Sequence, residues 1–234
     1  MVLNFGQNHF PGNPNNNKII SYSSLDVAQG VGYVTFYGGR TTSSNATASF
    51  ATATSSFSLS SNKFYSDQIA SGASKTNGGA DLAWYTMQDI NFDIKFIQPS
   101  AIGGQCVVNV PIGILGGAGA SGIQTVAAVS LQKLSNNAVS ILAHASGAPL
   151  VVNTGTFYTM NAIPLQIPLT AILKNDILRL KVRQQMQVNG NFTGTAYLAY
   201  DPQNRSFSGA VGTTAWPSGE TSELSINIPF KIDL

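Results

Sequence analysis

The chain has 234 residues, of which 43% are apolar and only 9% are charged, and its formal net charge is +2. Ordinary globular domains carry about 25% charged residues, whereas disordered chains are usually rich in charge and poor in apolar groups, so we expect a folded chain with a sizeable core. The small net charge argues against nucleic acid or an anionic membrane as a partner. A surface so poor in charge favours burial in an assembly, and the alternative is a monomer coated with Asn, Ser and Thr.

The start of the chain is rich in Asn, Pro and Gly and has no apolar stretch typical of a signal peptide. No apolar run is long enough to cross a membrane as a helix, so we expect synthesis and folding in a cytoplasm. Residues 1–18 have too few apolar groups to fold alone and are predicted to form an extended arm. Phe5 and Phe10 are its candidate partner-binding residues, and the alternative is an arm that folds back on its own domain.

Alternation of apolar and polar residues, bounded by Gly, Asn or Pro, predicts eight to ten strands within residues 19–234, which we expect to form one domain. In chain order the twelve candidate ranges, from which we expect the eight to ten strands to come, are 19–25, 32–39, 41–61 (weak), 62–69 (strand or turn), 89–97, 105–115, 125–134, 138–143, 157–167, 177–183, 195–200 and 224–234. Residues 71–79 are predicted to be a loop.

Two of these ranges carry a specific expectation. Pro111 lacks a backbone donor, so the strand 105–115 is predicted to lie at a sheet edge or to contain a bulge near its end. Residues 125–134 also match a helical stripe, but the strands around them favour a strand. Asn136-Asn137 then predicts a hairpin turn to the next strand.

This series of short strands, with no convincing long helix, predicts an all-β fold: an antiparallel β-sandwich of jelly-roll type in a single domain. The cleanest alternation identifies the expected core. Its members are Ile90, Phe92, Ile94, Phe96, Leu178, Leu180, Val182, Ile226, Ile228 and Phe230.

The glycine-rich residues 117–122 match the pattern G-x-G-x-x-G. A dinucleotide site also needs a helix after the glycines and an acidic residue about 20 positions later. No Asp or Glu occurs between Ile94 and Asn175. We therefore expect a glycine loop between strands and no cofactor.

Catalytic and metal-binding patterns are also missing at useful spacing. His9 and His144 are the only histidines, and no G-x-S-x-G motif accompanies them. Cys106 lies in an apolar run and is expected to be a buried, inert thiol. Asp89 and Asp93 share one face of a strand, so a calcium site is a minor alternative to two solvated carboxylates. On this basis the chain is predicted not to be an enzyme.

Residues 177–183 combine an apolar and a basic face. Leu178, Leu180 and Val182 alternate with Arg179, Lys181 and Arg183, and the basic residues are candidates for binding an acidic partner surface. The alternative is the solvated outer face of an antiparallel strand. Trp84 and Trp216 are the aromatic residues that a sugar-binding site would use, although such residues more often cover the edge of a core.

Four segments taken in order, GYVTFYGG, NKFYSDQI, LKNDILRLKV with TAYLAYDPQNR, and a terminal PFKIDL, resemble structural proteins of tailed viruses of bacteria and archaea. The resemblance is to the β-sandwich proteins of head decoration, minor capsid and fibre components. It implies a location in the virion after assembly in the host cytoplasm. It also implies other virion proteins as partners, the major capsid protein above all, and a homotrimer by analogy. The alternative function is a lectin-like carbohydrate- or receptor-binding module of a viral fibre.

Overall fold

Strands account for all regular secondary structure in the described part of the computed structural model, which is residues 2–3, 20–21, 31–40, 63–66, 72–76, 83–116, 122–136, 138–188, 193–199 and 224–231. Side chains are described for residues 32–38 and for the described residues from 83 onwards. The strands are β1 Val2–Leu3, β2 Ile20–Ser21, β3 Val31–Arg40, β4 Lys63–Ser66, β5 Gly72–Thr76, β6 Trp84–Lys95, β7 Ser100–Gly116, β8 Ile123–Ser135, β9 Ala138–Ser146, β10 Leu150–Val152, β11 Gly155–Ile172, β12 Ile177–Gln187, β13 Thr193–Leu198 and β14 Ser225–Lys231.

Twelve of these strands form one hydrogen-bonded sheet that folds over into two layers; ten follow a single path, and β9 and β11 pair with β8 and β7 beside it. In the first layer β8 pairs with β9, β10 and β12, and β6 and β4 follow β12; the second layer contains β3, β14, β7, β11, β13 and β5. The parallel pair β3–β4 connects the layers, while all other described pairings are antiparallel. Apolar side chains from both layers share one core cluster. The chain is therefore an antiparallel β-sandwich, as the sequence predicts, and a jelly-roll type is compatible with it.

The register of β12 sets which side chains enter the core. Leu180 lies opposite Phe92 of β6 and Leu131 of β8, and all three side chains are buried. Because successive side chains of a strand point to opposite faces, the basic residues of β12 must then point away from the core. The ten core residues predicted from the sequence are all buried.

The position of β7 differs from the prediction. It is not an edge strand: β11 pairs along one edge, and β14 and β13 occupy the other. Pro111 is accommodated there because the described β14 pairing stops at Asn109 and the β13 pairing starts at Ile112. At this junction the backbone nitrogen of Pro111, which has no hydrogen to donate, needs no partner in the ladder. The Pro111 carbonyl accepts a hydrogen bond from Ala199 N at 3.2 Å.

Two further strand predictions have definite outcomes. Residues 71–79 are not simply a loop, because β5 pairs with β13 through Gly72–Thr76. The alternation of apolar and polar residues in this segment is too weak to predict a strand, because the strand depends on its pairing with β13. The choice of strand over helix for residues 125–134 is confirmed by β8, and Asn136 forms the predicted turn to β9 with a φ of 49°.

A polar network lies inside the sandwich beside the apolar core. The Gln184 amide donates from Nε2 to Tyr197 O at 2.9 Å and to Thr125 Oγ1 at 3.1 Å. The Thr125 hydroxyl donates to Gln185 O at 2.9 Å. Gln184 and Thr125 are fully buried, so these bonds connect β12 of one layer to β13 of the other. They offset only part of the cost of burial, because Gln184 Oε1 has no hydrogen-bond partner among the described residues.

The turn between β11 and β12 is held by Asp176. Its Oδ2 accepts hydrogen bonds from Leu173 N at 2.8 Å and lies 3.1 Å from Lys133 Nζ on β8. Burial alone would raise the pKa of Asp176, but hydrogen bonds from Ser135, Leu173 and Lys133, together with the charge of Lys133, lower it below its ordinary value. Asn175, with a φ of 73°, supplies the left-handed residue of the turn.

Most of the predicted N-terminal arm lies outside the described residues. Within it, Val2–Leu3 pairs in an antiparallel ladder with Ile20–Ser21. The division of the chain at residue 18, and docking of the arm on a neighbouring chain, remain predictions.

Replacing Leu180 by Ala is expected to lower the free energy of unfolding by about 2–5 kcal/mol, because it leaves a cavity between two buried strands. Chemical denaturation measures the change. Leu169→Ala is the matched control, since this side chain is 73% exposed and its loss should change stability by less than about 0.5 kcal/mol. Equal effects of the two substitutions would contradict the register of β12.

Replacing Asp176 by Asn is expected to destabilise the fold by about 1 kcal/mol at neutral pH, the net value of a typical hydrogen bond. Because the folded pKa of Asp176 lies below its unfolded value, the carboxylate stabilises the native state above the ordinary Asp value of about 3.9, and this contribution is lost as pH falls through the lowered pKa. Denaturation of both proteins at pH 7 and at progressively lower pH should show the gap closing in acid. A gap that widens in acid would show the opposite linkage.

Candidate binding groove on the charged face

Three rows of polar side chains cross the outer surface of the first layer, which we call the charged face: the outward side chains of β9, β8, β12 and β6. The registers of the three strand pairs define the rows. One row is Ser146, Ala128, Arg183 and Asp89; the next is His144, Ser130, Lys181 and Asn91; the third is Ile141, Gln132, Arg179 and Asp93. Residues from four separate parts of the sequence thus form one continuous surface, which is polar apart from Ala128 and Ile141.

Arg179 and Asp93 form a two-point ion pair. Arg179 Nε donates to Asp93 Oδ1 and Nη2 to Oδ2, both at 2.7 Å. This side-by-side geometry matches the planar guanidinium to the carboxylate and satisfies both charges. Arg179 therefore contributes little net charge to the charged face.

Asp89 is shared by two cations. Its Oδ2 lies 3.0 Å from Lys181 Nζ and 3.1 Å from Arg183 Nη2, and Arg183 Nε is 3.3 Å away. One carboxylate thus faces two positive charges, which leaves a local excess of one. The Arg183 side chain is also 44% exposed, so it can reach a ligand in solvent.

An open groove of about 400 Å³ lies on β9, β8 and β12 next to this excess charge. Its polar lining consists of Ser130, Gln132, His144, Ser146, Lys181 and Arg183. The exposed Ile141 and the small Ala128 supply apolar surface within the same groove. The groove therefore combines hydroxyl, amide, imidazole and cationic groups on a shallow surface.

The outer surface of the second layer has a different character. We call it the neutral face: the outward side chains of β11, β7, β14 and β3. Short uncharged groups bond to one another across it, with Thr35 Oγ1 donating to Asn227 Oδ1 at 2.6 Å and Asn109 Nδ2 donating to Ser225 Oγ at 3.1 Å. Among the described side chains of these four strands, Lys231 at the end of β14 is the one charged group.

Some of the candidate residues predicted from the sequence lie outside the described part of the chain, and the others can be located in the structure. Phe5, Phe10, His9, Trp216 and the glycine-rich residues 117–121 lie outside the described residues. Arg179, Lys181 and Arg183 lie on the outer face of β12, as alternation predicts, and their role in binding a partner stays a prediction. Trp84 is 40% exposed and lies on the charged face opposite Gln187.

The structure also shows the surroundings of three other candidate residues, Asp89, Asp93 and Cys106. Asp89 and Asp93 bind basic side chains of β12 instead of forming a cation site with one another. Within the part of the chain that the structure describes, no three His, Cys, Asp or Glu side chains are grouped to hold a metal ion. Cys106 is buried, and burial raises the pKa of its thiol to about 12, so it is protonated at neutral pH.

The groove itself was missed by sequence reasoning. No sequence motif connects His144 to another polar residue, but pairing of β9 with β8 places it opposite Ser130, and pairing of β8 with β12 places Ser130 opposite Lys181. The hairpin signal at Asn136-Asn137 could have indicated that β9 lies beside β8. The register shift between Leu131 and Gln132 has no such signal in the sequence.

The sequence matches no family model and no curated protein. Similar solved structures include an aminopeptidase from a marine sediment Thaumarchaeota archaeon, with a TM-score of 0.37, 10% identity, and coverage of 62% of this chain and 26% of that one. A CocE/NonD family hydrolase from Staphylococcus aureus has a TM-score of 0.36 and 10% identity, with 76% and 43% covered. The structure of infectious bursal disease virus, Gx strain, has a TM-score of 0.27 and 10% identity, with 72% and 37% covered.

This chain spans less than half the length of each of these proteins. At such low identity and TM-score, the likenesses assign no function. Of the predicted resemblance to tailed-virus proteins, the β-sandwich fold is what the structure supports.

The prediction that the chain is not an enzyme has to be corrected, because hydrolases are among the similar solved structures. The exclusion relied on motif spacing along the sequence. Antiparallel pairing brings distant residues together, and catalytic groups are recognised by their geometry and not by their sequence position. The exclusion of enzymatic activity from motif spacing therefore does not hold.

No described helix is long and apolar enough to cross a membrane, since the described residues contain strands and turns alone.

The two carboxylates of β6 are expected to differ in their coupling to β12. A double-mutant cycle on Arg179 and Asp93, each replaced by Ala, should give a coupling free energy of up to about 1 kcal/mol. The cycle on Arg183 and Asp89 should give only about a few tenths of a kcal/mol, because the hydrogen bonds of this pair are longer and its side chains are more exposed. Denaturation midpoints of the single and double variants provide the values. The cycle on Arg179 and Asp89, which do not form a pair, is the control and should be near zero. The reverse order of the two couplings would contradict the described geometry.

Proposed function

We propose that the chain is a virion structural protein, a head decoration or minor capsid component that assembles through its neutral face. The observation that carries this proposal is the distribution of charge over the sandwich. Of the ten charged side chains that are described, nine belong to the first layer or to the turn before β12, and Lys231 is the exception. Among the described side chains, a face with this single charge is unusual for a protein exposed to solvent on both sides.

The chemistry of the neutral face fits a protein–protein contact. Charged residues are depleted at the centres of interfaces because their desolvation is costly. On the neutral face, Met160, Ala162 and Pro164 of β11 are exposed and uncharged. Its polar groups bond to one another, as in the partly exposed Thr35–Asn227 pair, so covering them leaves fewer unsatisfied groups than covering solvated side chains would.

The neutral face is smaller than a standard protein–protein interface. Four strands about 4.8 Å apart and nine residues of β11 at about 3.3 Å each cover roughly 500 Å². A standard interface buries about 800 Å² per partner. The remainder has to come from other parts of the chain, and the predicted arm with Phe5 and Phe10 is the segment that the sequence offers.

The neutral face and the resemblance of the sequence to structural proteins of tailed viruses support a more specific assignment of partners and location. Its partners are other virion proteins, principally the major capsid protein, and further copies of this chain in a trimer. Its location is the virion, after assembly in the host cytoplasm. Mass spectrometry of purified particles should find the chain in a fixed ratio to the major capsid protein, and its absence from such particles would refute the assignment.

The alternative, a lectin-like carbohydrate- or receptor-binding module of a viral fibre, is supported by the exposure of Trp84 on the charged face. It uses the opposite layer of the sandwich from the neutral face.

Replacing Ala162 by Glu is expected to weaken self-association at least tenfold, because a buried, unpaired carboxylate costs more than about 1.4 kcal/mol. Sedimentation equilibrium over a range of concentrations measures the effect. Thr86→Glu places the same charge on an exposed position of β6 in the charged face and should leave association unchanged. A wild-type chain that stays monomeric at high concentration, or an Ala162→Glu variant that still associates, would contradict assembly through the neutral face.

A further inference from the structure

We propose that the groove on the charged face binds an acidic saccharide, a sugar that carries a carboxylate or sulfate group. In this arrangement Lys181 and Arg183 hold the anionic group. Ser130, Gln132, His144 and Ser146 hydrogen-bond the hydroxyls of the ring. The site lies on the layer opposite the neutral face, so it does not depend on the proposed assembly surface.

The anionic part of the ligand follows from the count of charges. Lys181 and Arg183 both contact the same oxygen of Asp89, and that carboxylate can neutralise only one of them. An ammonium has three N–H donors and a guanidinium has five. Three contacts to Asp89 are described for the two side chains, one from Lys181 and two from Arg183. The pair therefore has donors and one positive charge with which to bind an anion.

The saccharide part follows from the lining of the groove. Ser130, Ser146 and Gln132 place hydroxyl and amide groups on adjacent strands about 4.8 Å apart, which suits a ligand with several hydroxyls around a ring. Ile141, which is 64% exposed, offers the apolar contact that the C–H face of a sugar needs. The volume of about 400 Å³ lies within the range of small-molecule sites.

Other anionic ligands fit less well. A peptide that adds to a sheet needs the backbone groups of a strand edge, whereas the lining includes side chains of β8 and β12, which lie inside the layer. A nucleic acid needs several phosphate contacts to bind tightly, and the groove has an excess of only one positive charge. A single acidic group on an otherwise neutral, hydroxyl-rich molecule is the chemistry that remains.

The charged face continues beyond the groove in one direction. Gln185 and Gln187 of β12 follow Arg183 on the same face, and Trp84 of β6 lies opposite Gln187. Four residues along a strand place this tryptophan row about 13 Å from the Arg183 row. Amides followed by an exposed indole ring are suited to further sugar units, so an oligosaccharide is expected to bind more tightly than a single sugar.

The test uses the full chain and isothermal titration with four probes at low and at physiological salt. They are an oligosaccharide with a single uronic acid unit, a disaccharide with a single sulfate group, a neutral cello-oligosaccharide and sodium acetate. We expect one of the two acidic saccharides to bind at least tenfold more tightly than the neutral one, and which of them does so distinguishes carboxylate from sulfate. Binding of the neutral sugar equal to that of both acidic sugars would overturn the proposal. Acetate that binds as tightly as the saccharides would show an adventitious anion site only.

Arg183→Gln and Lys181→Gln are each expected to weaken binding of the acidic saccharide at least tenfold. Lys95→Gln is the matched control, because it removes one positive charge from an exposed position at the far end of β6 and should not change binding. Equal losses in all three variants would show general charge attraction and overturn the site. Circular dichroism of each variant checks the fold, and Arg183→Lys, which keeps the charge, should retain more affinity than Arg183→Gln. Self-association of the same variants should match the wild type, so a failed titration leaves the neutral-face proposal standing.

Discussion

The sandwich depends on the register in which β12 lies between β6 and β8. In this register Leu180 meets Phe92 and Leu131 inside, and Lys181 meets Asn91 and Ser130 outside. A slip by one residue would turn the basic side chains of β12 into the apolar core and its leucines into solvent. Because an unpaired charge in such a core is far more costly than any hydrogen bond gained, the alternation of β12 fixes the core and the charged face together.

The sequence was sufficient to predict the parts of the fold in which local alternation and tertiary burial agree. The buried residues of β6, β12 and β14 could be named because large apolar residues occupy every second position of each strand. The strand at 125–134 was harder to predict, because its apolar residues also fit one face of a helix. The strands predicted on either side of it favoured a strand. The turn at Asn136 followed from a residue type that tolerates positive φ.

The remaining features depend on pairings between distant segments, which a single sequence does not encode locally. Pro111 predicted an edge or a bulge, but it lies at the junction where pairing of β7 changes from β14 to β13. Asp93 and Arg179 are 86 positions apart, and nothing in their spacing indicates the two-point ion pair. The groove needs three strands in correct register, including the shift in β9, and so its geometry could be found only in the folded chain.

The two faces of the sandwich have opposite properties for a physical reason. Each face belongs to a different layer, so a partner covering one leaves the other open to solvent. Charge on β12 can be balanced by carboxylates on β6 because the two strands are neighbours, whereas the neutral face bonds its polar groups internally, as Thr35 does with Asn227. A chain that docks through the neutral face therefore presents the groove away from its partner. In that orientation Lys181 and Arg183 remain accessible to a ligand after assembly, and the same fold can serve as a structural unit on one side and as a binding surface on the other.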